Sequence, residues 1–209
     1  MKKIIMLVAT AIVALGASAQ VQFGAKVGFD MTNFWGEDVR HGMQPNYQAG
    51  VMMEYRFNNS NFAIAPEVVF AAQGGKFSDE RSINLPVIGT ITGKLDQTYH
   101  TNYINVPVMA KFYVSPDFSV DFGPQLGINV YSKYTVEGTV AGQEVKETYD
   151  LDDNTNAVDF GLGLGATYNL TNNAFVQARY TMGLTKTFKE EFNENAKNGN
   201  IQIAFGMKF

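Results

Sequence analysis

Residues 21–32 read Val-Gln-Phe-Gly-Ala-Lys-Val-Gly-Phe-Asp-Met-Thr. Val21, Phe23, Ala25, Val27, Phe29 and Met31 are apolar; Gln22, Gly24, Lys26, Gly28, Asp30 and Thr32 between them are polar or very small. Successive side chains of a β-strand point to opposite faces, so a period of two means one greasy face and one wet face. The pattern returns in seven further stretches, at 47–57, 62–73, 104–114, 118–130, 158–170, 176–184 and 201–209.

The greasy faces of these eight stretches contain no Asp, Glu, Lys or Arg. The opposite faces carry Lys26, Asp30, Glu54, Arg56, Glu67, Lys111, Asp121, Asp159, Arg179 and Lys208, five charges of each sign, and ten of the 20 glycines. Asn58-Asn59-Ser60, Ser115-Pro116-Asp117 and Thr171-Asn172-Asn173 have the chemistry of tight turns. Long polar connections at 34–46, 74–97, 135–156 and 186–199 alternate with them. A soluble barrel would put the greasy face inside and spread charge outside. Here the wet face is glycine-rich and charge-balanced, as a narrow lumen requires, and the connections are short at one end and long at the other. The expected fold is therefore all-β, an eight-stranded antiparallel up-and-down transmembrane β-barrel. Tyr47, Tyr55, Phe57, Phe62, Phe118, Tyr168, Phe175 and Phe209 lie near strand ends, where an interfacial aromatic girdle would sit. Phe205, Met207 and Phe209, alternating to the end of the chain, are the expected signal for the outer-membrane assembly machinery.

Composition narrows the rest. The chain has 209 residues, 45% hydrophobic, 13% aromatic and 17% charged, with no Cys and a net charge of −4. It is too aromatic and too weakly charged to be disordered, and it lacks a disulfide framework or a thiol nucleophile. An acidic balance argues against a nucleic-acid partner. Mean hydropathy is −0.11, which taken alone reads as soluble. Lys2 and Lys3, the apolar run from Ile4 to Gly16, and Ala17-Ser18-Ala19 form a secretory signal peptide over residues 1–19. The barrel domain then spans 20–209, and its net charge is −6, from 14 basic and 20 acidic residues.

Tyr103-Ile-Asn-Val-Pro-Val-Met-Ala-Lys-Phe-Tyr113 resembles the Y-I-x-I-P-x-L-x-K-Y strand of the PorT-like outer-membrane β-barrel family of the Bacteroidetes, small barrels of OmpX and OmpA type. Gly24–Phe29, Pro66-Glu67, Phe122–Gly127 and Phe160–Gly165 fit as well. The resemblance implies an eight-stranded outer-membrane barrel, and through the family's name-giving member an association with type IX secretion and gliding.

Other chemistry is weakly signalled. Gly161, Gly163 and Ala166 match a dinucleotide fingerprint in spacing, but they alternate with apolar residues inside a strand instead of joining a strand to a helix. Asp150, Asp152 and Asn154 begin like a calcium loop, yet Thr155 and Gly161 stand where Gly and Glu are needed. The acidic stretch 135–156 leaves a surface cation site open. His41 and His100 are the only histidines, and a rim enzyme would need further groups converging on one of them. No catalytic, cofactor or metal residue is assigned. The expected protein is a monomer in the Gram-negative outer membrane with both termini in the periplasm. Its expected partners are membrane lipid, the assembly machinery and envelope proteins, and it would act structurally or by interaction through its outward loops. The alternatives are an accessory of type IX secretion or gliding, a rim-site enzyme, and a secreted ligand-binding barrel.

Overall fold

The computed structural model describes residues 21–36, 42–85, 89–140, 143–189 and 195–209. The signal-peptide segment and His41 lie outside the described residues. The strands are β1 (Val21–Trp35), β2 (Gln44–Arg56), β3 (Phe62–Leu85), β4 (Gly89–Tyr113), β5 (Phe118–Val140), β6 (Gln143–Asp150), β7 (Val158–Asn169), β8 (Ala174–Gly183) and β9 (Lys197–Lys208). One 3-10 turn covers Asp152–Asn154. All pairings between these strands are antiparallel.

Eight strands close a ring in the order β4-β3-β2-β1-β9-β8-β7-β5, with β5 pairing back to β4. The register measures its stagger. From Val21 the cross-strand partners run Tyr55, Ile64, Ala110, Phe122, Leu164, Tyr180, Ile201 and back to β1 at Met31. The circuit returns ten residues farther along the strand it left, from 21 to 31. Eight strands with that stagger tilt about 40° and enclose a backbone cylinder of about 8 Å radius, which inward side chains fill.

The faces are assigned as the alternation requires. Ile203 is 63% exposed and Val27 61%, whereas Lys26 is 2% exposed and Asp121 0%. Among the described residues 32 large apolar side chains are exposed, a surface far beyond the few hundred Å² that soluble monomers tolerate. Charged inside and apolar outside is the arrangement for lipid, and it rules out the secreted ligand-binding barrel, which would need an apolar interior. Outward aromatics form two belts. Tyr55, Phe57, Phe62 and Phe112 mark the turn end, with Tyr55–Phe57 and Phe62–Phe112 ring centroids 5.1 and 5.0 Å apart. Tyr47 and Phe70, 6.4 Å apart, mark the loop end. Tyr55 and Tyr47 are eight residues apart on β2, or ~20 Å along the axis at this tilt, close to the apolar band of outer-membrane barrels.

Three expectations change. The connections 74–97 and 135–156 are mostly strand: β3 and β4 stay paired out to Leu85 and Gly89, and β5 pairs with β6, a ninth strand outside the ring. Beyond the membrane no lipid imposes a greasy face, so the alternation disappears while the backbone ladder continues. Phe175 is not in a girdle but fully buried inside the lumen. Its ring explains Gly206 on the neighbouring strand, where a Cβ would lie 2.1 Å from Phe175 Cζ. Gly206→Val should therefore lower stability by about 1–3 kcal/mol, read as a lower urea midpoint in lipid vesicles; an unchanged midpoint would show that the ring has room to move. The third change is Arg56, which is exposed and not buried in the lumen.

The short turns behave as their residues suggest. Phe57 N–H donates to Phe62 O at 3.1 Å, and Asn59 takes a positive φ of 52°, which Asn tolerates better than most residues. In the third turn Thr171 Oγ1 accepts from the N–H groups of Asn173 and Ala174 at 3.2 and 2.9 Å.

Candidate functional site: the charged lumen and its two ends

Nine of the ten predicted lumen charges are buried: Lys26, Asp30, Glu54, Glu67, Lys111, Asp121, Asp159, Arg179 and Lys208. At the centre Glu67 holds two cations. Lys26 Nζ donates to its Oε2 at 2.6 Å, and Arg179 forks onto both oxygens at 2.9 and 2.8 Å. Lys26 also donates to Gln177 Oε1 at 2.8 Å. Gln177 Nε2 passes on to Asp121 at 3.2 Å, which further accepts from Thr167 at 2.7 Å and Ser119 at 3.0 Å. The charges thus form a chain across the barrel, stitched by neutral amides and hydroxyls.

Toward the turn end a second carboxylate is shared. Glu54 Oε2 accepts from Lys111 at 3.0 Å and Lys208 at 3.1 Å, and its Oε1 accepts from Tyr113 OH. Lys111 belongs to this cluster and not to the central one. Arg56 departs from expectation. It is exposed, forms no ion pair among the described residues, and stacks on Tyr113 with its guanidinium carbon 4.1 Å from the ring centroid. It is the last residue of β2, so its long side chain reaches past the narrow part of the ring.

Toward the loop end the remaining carboxylates have only neutral hydrogen-bond partners among the described residues. Asp30 accepts from Gln48 Nε2 at 2.8 Å and Asn200 Nδ2 at 3.4 Å. Asp159 accepts from Thr185 Oγ1 at 2.6 Å and Asn198 Nδ2 at 3.0 Å. Above them sits an apolar cap that the alternation alone did not announce. Phe34, Leu151, Phe188 and Ala196 are buried together, with Phe77, Tyr99 and Tyr134 against them. Phe34 lies 5.3 Å from Phe188 and 6.0 Å from Tyr99, ring to ring. Its even number on β1 puts it in phase with Lys26 and Asp30, and that phase is the signal that could have found it. A charged plug below an apolar cap leaves no wide path, so planar-bilayer recording should show no large stable conductance; a steady open channel would overturn this packing.

His100 Nδ1 lies 3.1 Å from Gln44 Nε2. Asp152 Oδ1 accepts from Ser132 N–H at 2.6 Å and Asp150 Oδ1 from Asp152 N–H at 2.9 Å, so these two acids tie the acidic loop to β5 and to itself. Phe205 and Met207 point outward on β9, exposed Phe209 follows its end, and Phe209 N–H donates to Phe23 O at 2.9 Å.

A family model described as outer membrane protein β-barrel domain matches residues 16–189. No curated protein matches the chain. Among solved structures, the attachment invasion locus protein Ail of Yersinia pestis is similar at 14% identity and TM-score 0.48, over 91% of this chain and 99% of that one. Neisserial surface protein A follows at 14% identity and TM-score 0.46, over 90% and 97%. Outer membrane protein W of E. coli stands at 12% identity and TM-score 0.36, over 90% and 97%.

Proposed function

We propose, from the premise that this chain belongs to the outer membrane protein β-barrel domain family, that it works at the cell surface as an interaction protein. The barrel is a small outer-membrane barrel; what it does there is the inference. The observation that carries it is the sheet β3-β4-β5-β6 rising from one side of the ring. From Phe70 in the loop-end belt β3 runs on to Leu85, on the order of 50 Å of strand at about 3.3 Å per residue. A filled lumen does not need such a projection, whereas a surface that meets other macromolecules does. Tyr99, Tyr134 and Tyr149 are register partners across it, with centroids 4.6 and 6.3 Å apart.

In this reading residues 1–19 export the chain, Phe205, Met207 and Phe209 present the last strand to the assembly machinery, and the barrel stands as a monomer. The turn end and both termini face the periplasm. Within the family, the Tyr103–Tyr113 strand supports the PorT-like branch of the Bacteroidetes. The chain has no Cys, so single cysteines report cleanly. An impermeant maleimide should label Thr148→Cys on intact cells and Asn59→Cys only after permeabilisation; the reverse pattern would invert the orientation. Replacing residues 78–95 by a short turn should leave a folded, heat-modifiable barrel and abolish cross-links to surface partners; undiminished cross-links would refute the role of the sheet.

A further inference from the structure

Below the Glu54 cluster the turn end opens into a bowl of about 620 Å³. Gln22, Asn58, Asn59, Asn61, Asn169 and Asn172 line its walls, and Glu54, Tyr113, Arg56 and Lys208 line its base. The charge at the base does not balance. The one carboxylate of Glu54 already serves Lys111 and Lys208, and Arg56 lies over the face of Tyr113 with no ion pair among the described residues. Asp117 in the wall offsets part of this excess. The guanidinium therefore presents its fork of donors to the bowl, a geometry that matches a carboxylate. Each wall amide both donates and accepts, which suits sugar hydroxyls, N-acetyl groups and peptide bonds.

We infer that this bowl binds an acidic glycopeptide of cell-wall type, with a peptide carboxylate on Arg56 and the N-acetylated sugar and peptide amides along the asparagine wall. The inference rests on the periplasmic placement of the turn end proposed above. A phospholipid headgroup fits less well, because the bowl is ringed mostly by polar turn residues, and only Phe57 and Pro116 of its lining are apolar. A free phosphate is too small to use the walls.

The test titrates a soluble disaccharide-tetrapeptide muropeptide into the full chain folded in detergent micelles, followed by calorimetry. The muropeptide should bind saturably. Arg56→Ala should weaken binding about tenfold or more, the loss expected for one charge-assisted hydrogen-bonded contact. Arg56→Lys should recover part of it, and Asn172→Ala should cost less. Asp159→Asn, far away in the loop half, should leave the affinity unchanged. No binding, or equal binding by Arg56→Ala, overturns the proposal. Displacement by equimolar inorganic phosphate, or by phosphatidylglycerol in mixed micelles, would make the bowl a general anion site and also overturn it. The two readings fail separately. If Asn59→Cys labels from outside intact cells while the muropeptide binds in micelles, the orientation falls and the recognition stands. If Asn59→Cys is shielded and no muropeptide binds, the bowl proposal alone falls.

Discussion

Glu67→Gln should destabilise the folded barrel by about 3–5 kcal/mol, the largest single effect expected from the lumen. Glu67 is the common acceptor of Lys26 and Arg179, and the side chains of all three are at most 2% exposed. A neutral amide there leaves two cations buried and facing each other without their shared anion. Urea titration of the protein folded into lipid vesicles, followed by tryptophan fluorescence or gel mobility, reads the change. The comparison is Asp30→Asn. Asp30 accepts from two neutral amides, and an asparagine keeps an oxygen for one of them, so the loss should stay within about 1 kcal/mol. If both variants unfold at the same urea concentration, the shared-carboxylate cluster is not what holds the lumen. Lys26→Met combined with Glu67→Gln should recover part of the loss, because it removes one of the stranded charges.

Phe34→Ala should cost about 3–5 kcal/mol, but at the other end of the molecule. Phe34 is 1% exposed and touches Phe188 and Tyr99, so truncation opens a cavity in the centre of the cap. The loss should appear as faster amide hydrogen exchange and faster proteolysis in the outer halves of β4 and β5, while the inner halves keep their protection. Conductance should remain low, because the Lys26–Glu67–Arg179 layer below is untouched. Protection lost evenly along the strands would show that cap and barrel unfold as one unit.

The alternation made the barrel legible because lipid demands it. Every second residue of a spanning strand must be apolar, and the eight stretches from Val21 to Phe209 obey. The same rule could not show the outer halves of β3, β4 and β5, or β6 itself, where no lipid imposes a greasy face and residues such as Lys76, Thr98 and Glu147 carry no phase. The buried charges stand in the wet phase of the strands, as does the exposed Arg56, so their phase was legible. Their partners were not. Lys26 meets Glu67 across 41 residues and Gln177 across 151, and only the stagger of the ring decides which levels meet. Phe175 shows the opposite failure: an aromatic residue near a strand end invites an interfacial reading unless its parity is checked against its neighbours, and Phe34, counted with the connection 34–46, continues the inward phase of β1.

With Arg56 at the turn mouth counted, the ten wet-phase charges sum to zero, yet they are sorted along the axis. Arg56 and Lys208 end their strands at the turn side. Asp159 is the second residue of β7 at the loop side, and Asp30 lies four residues nearer the loops than Lys26 on β1. The barrel is thus a fixed electric dipole set across the membrane, positive at the turn mouth and negative under the cap. Its two poles are separated by a low-dielectric wall that screens them poorly. Such a dipole takes a preferred direction in a transmembrane voltage. In a planar bilayer, insertion from a symmetric solution should be biased by the polarity of the applied potential, with the turn end drawn toward the negative side.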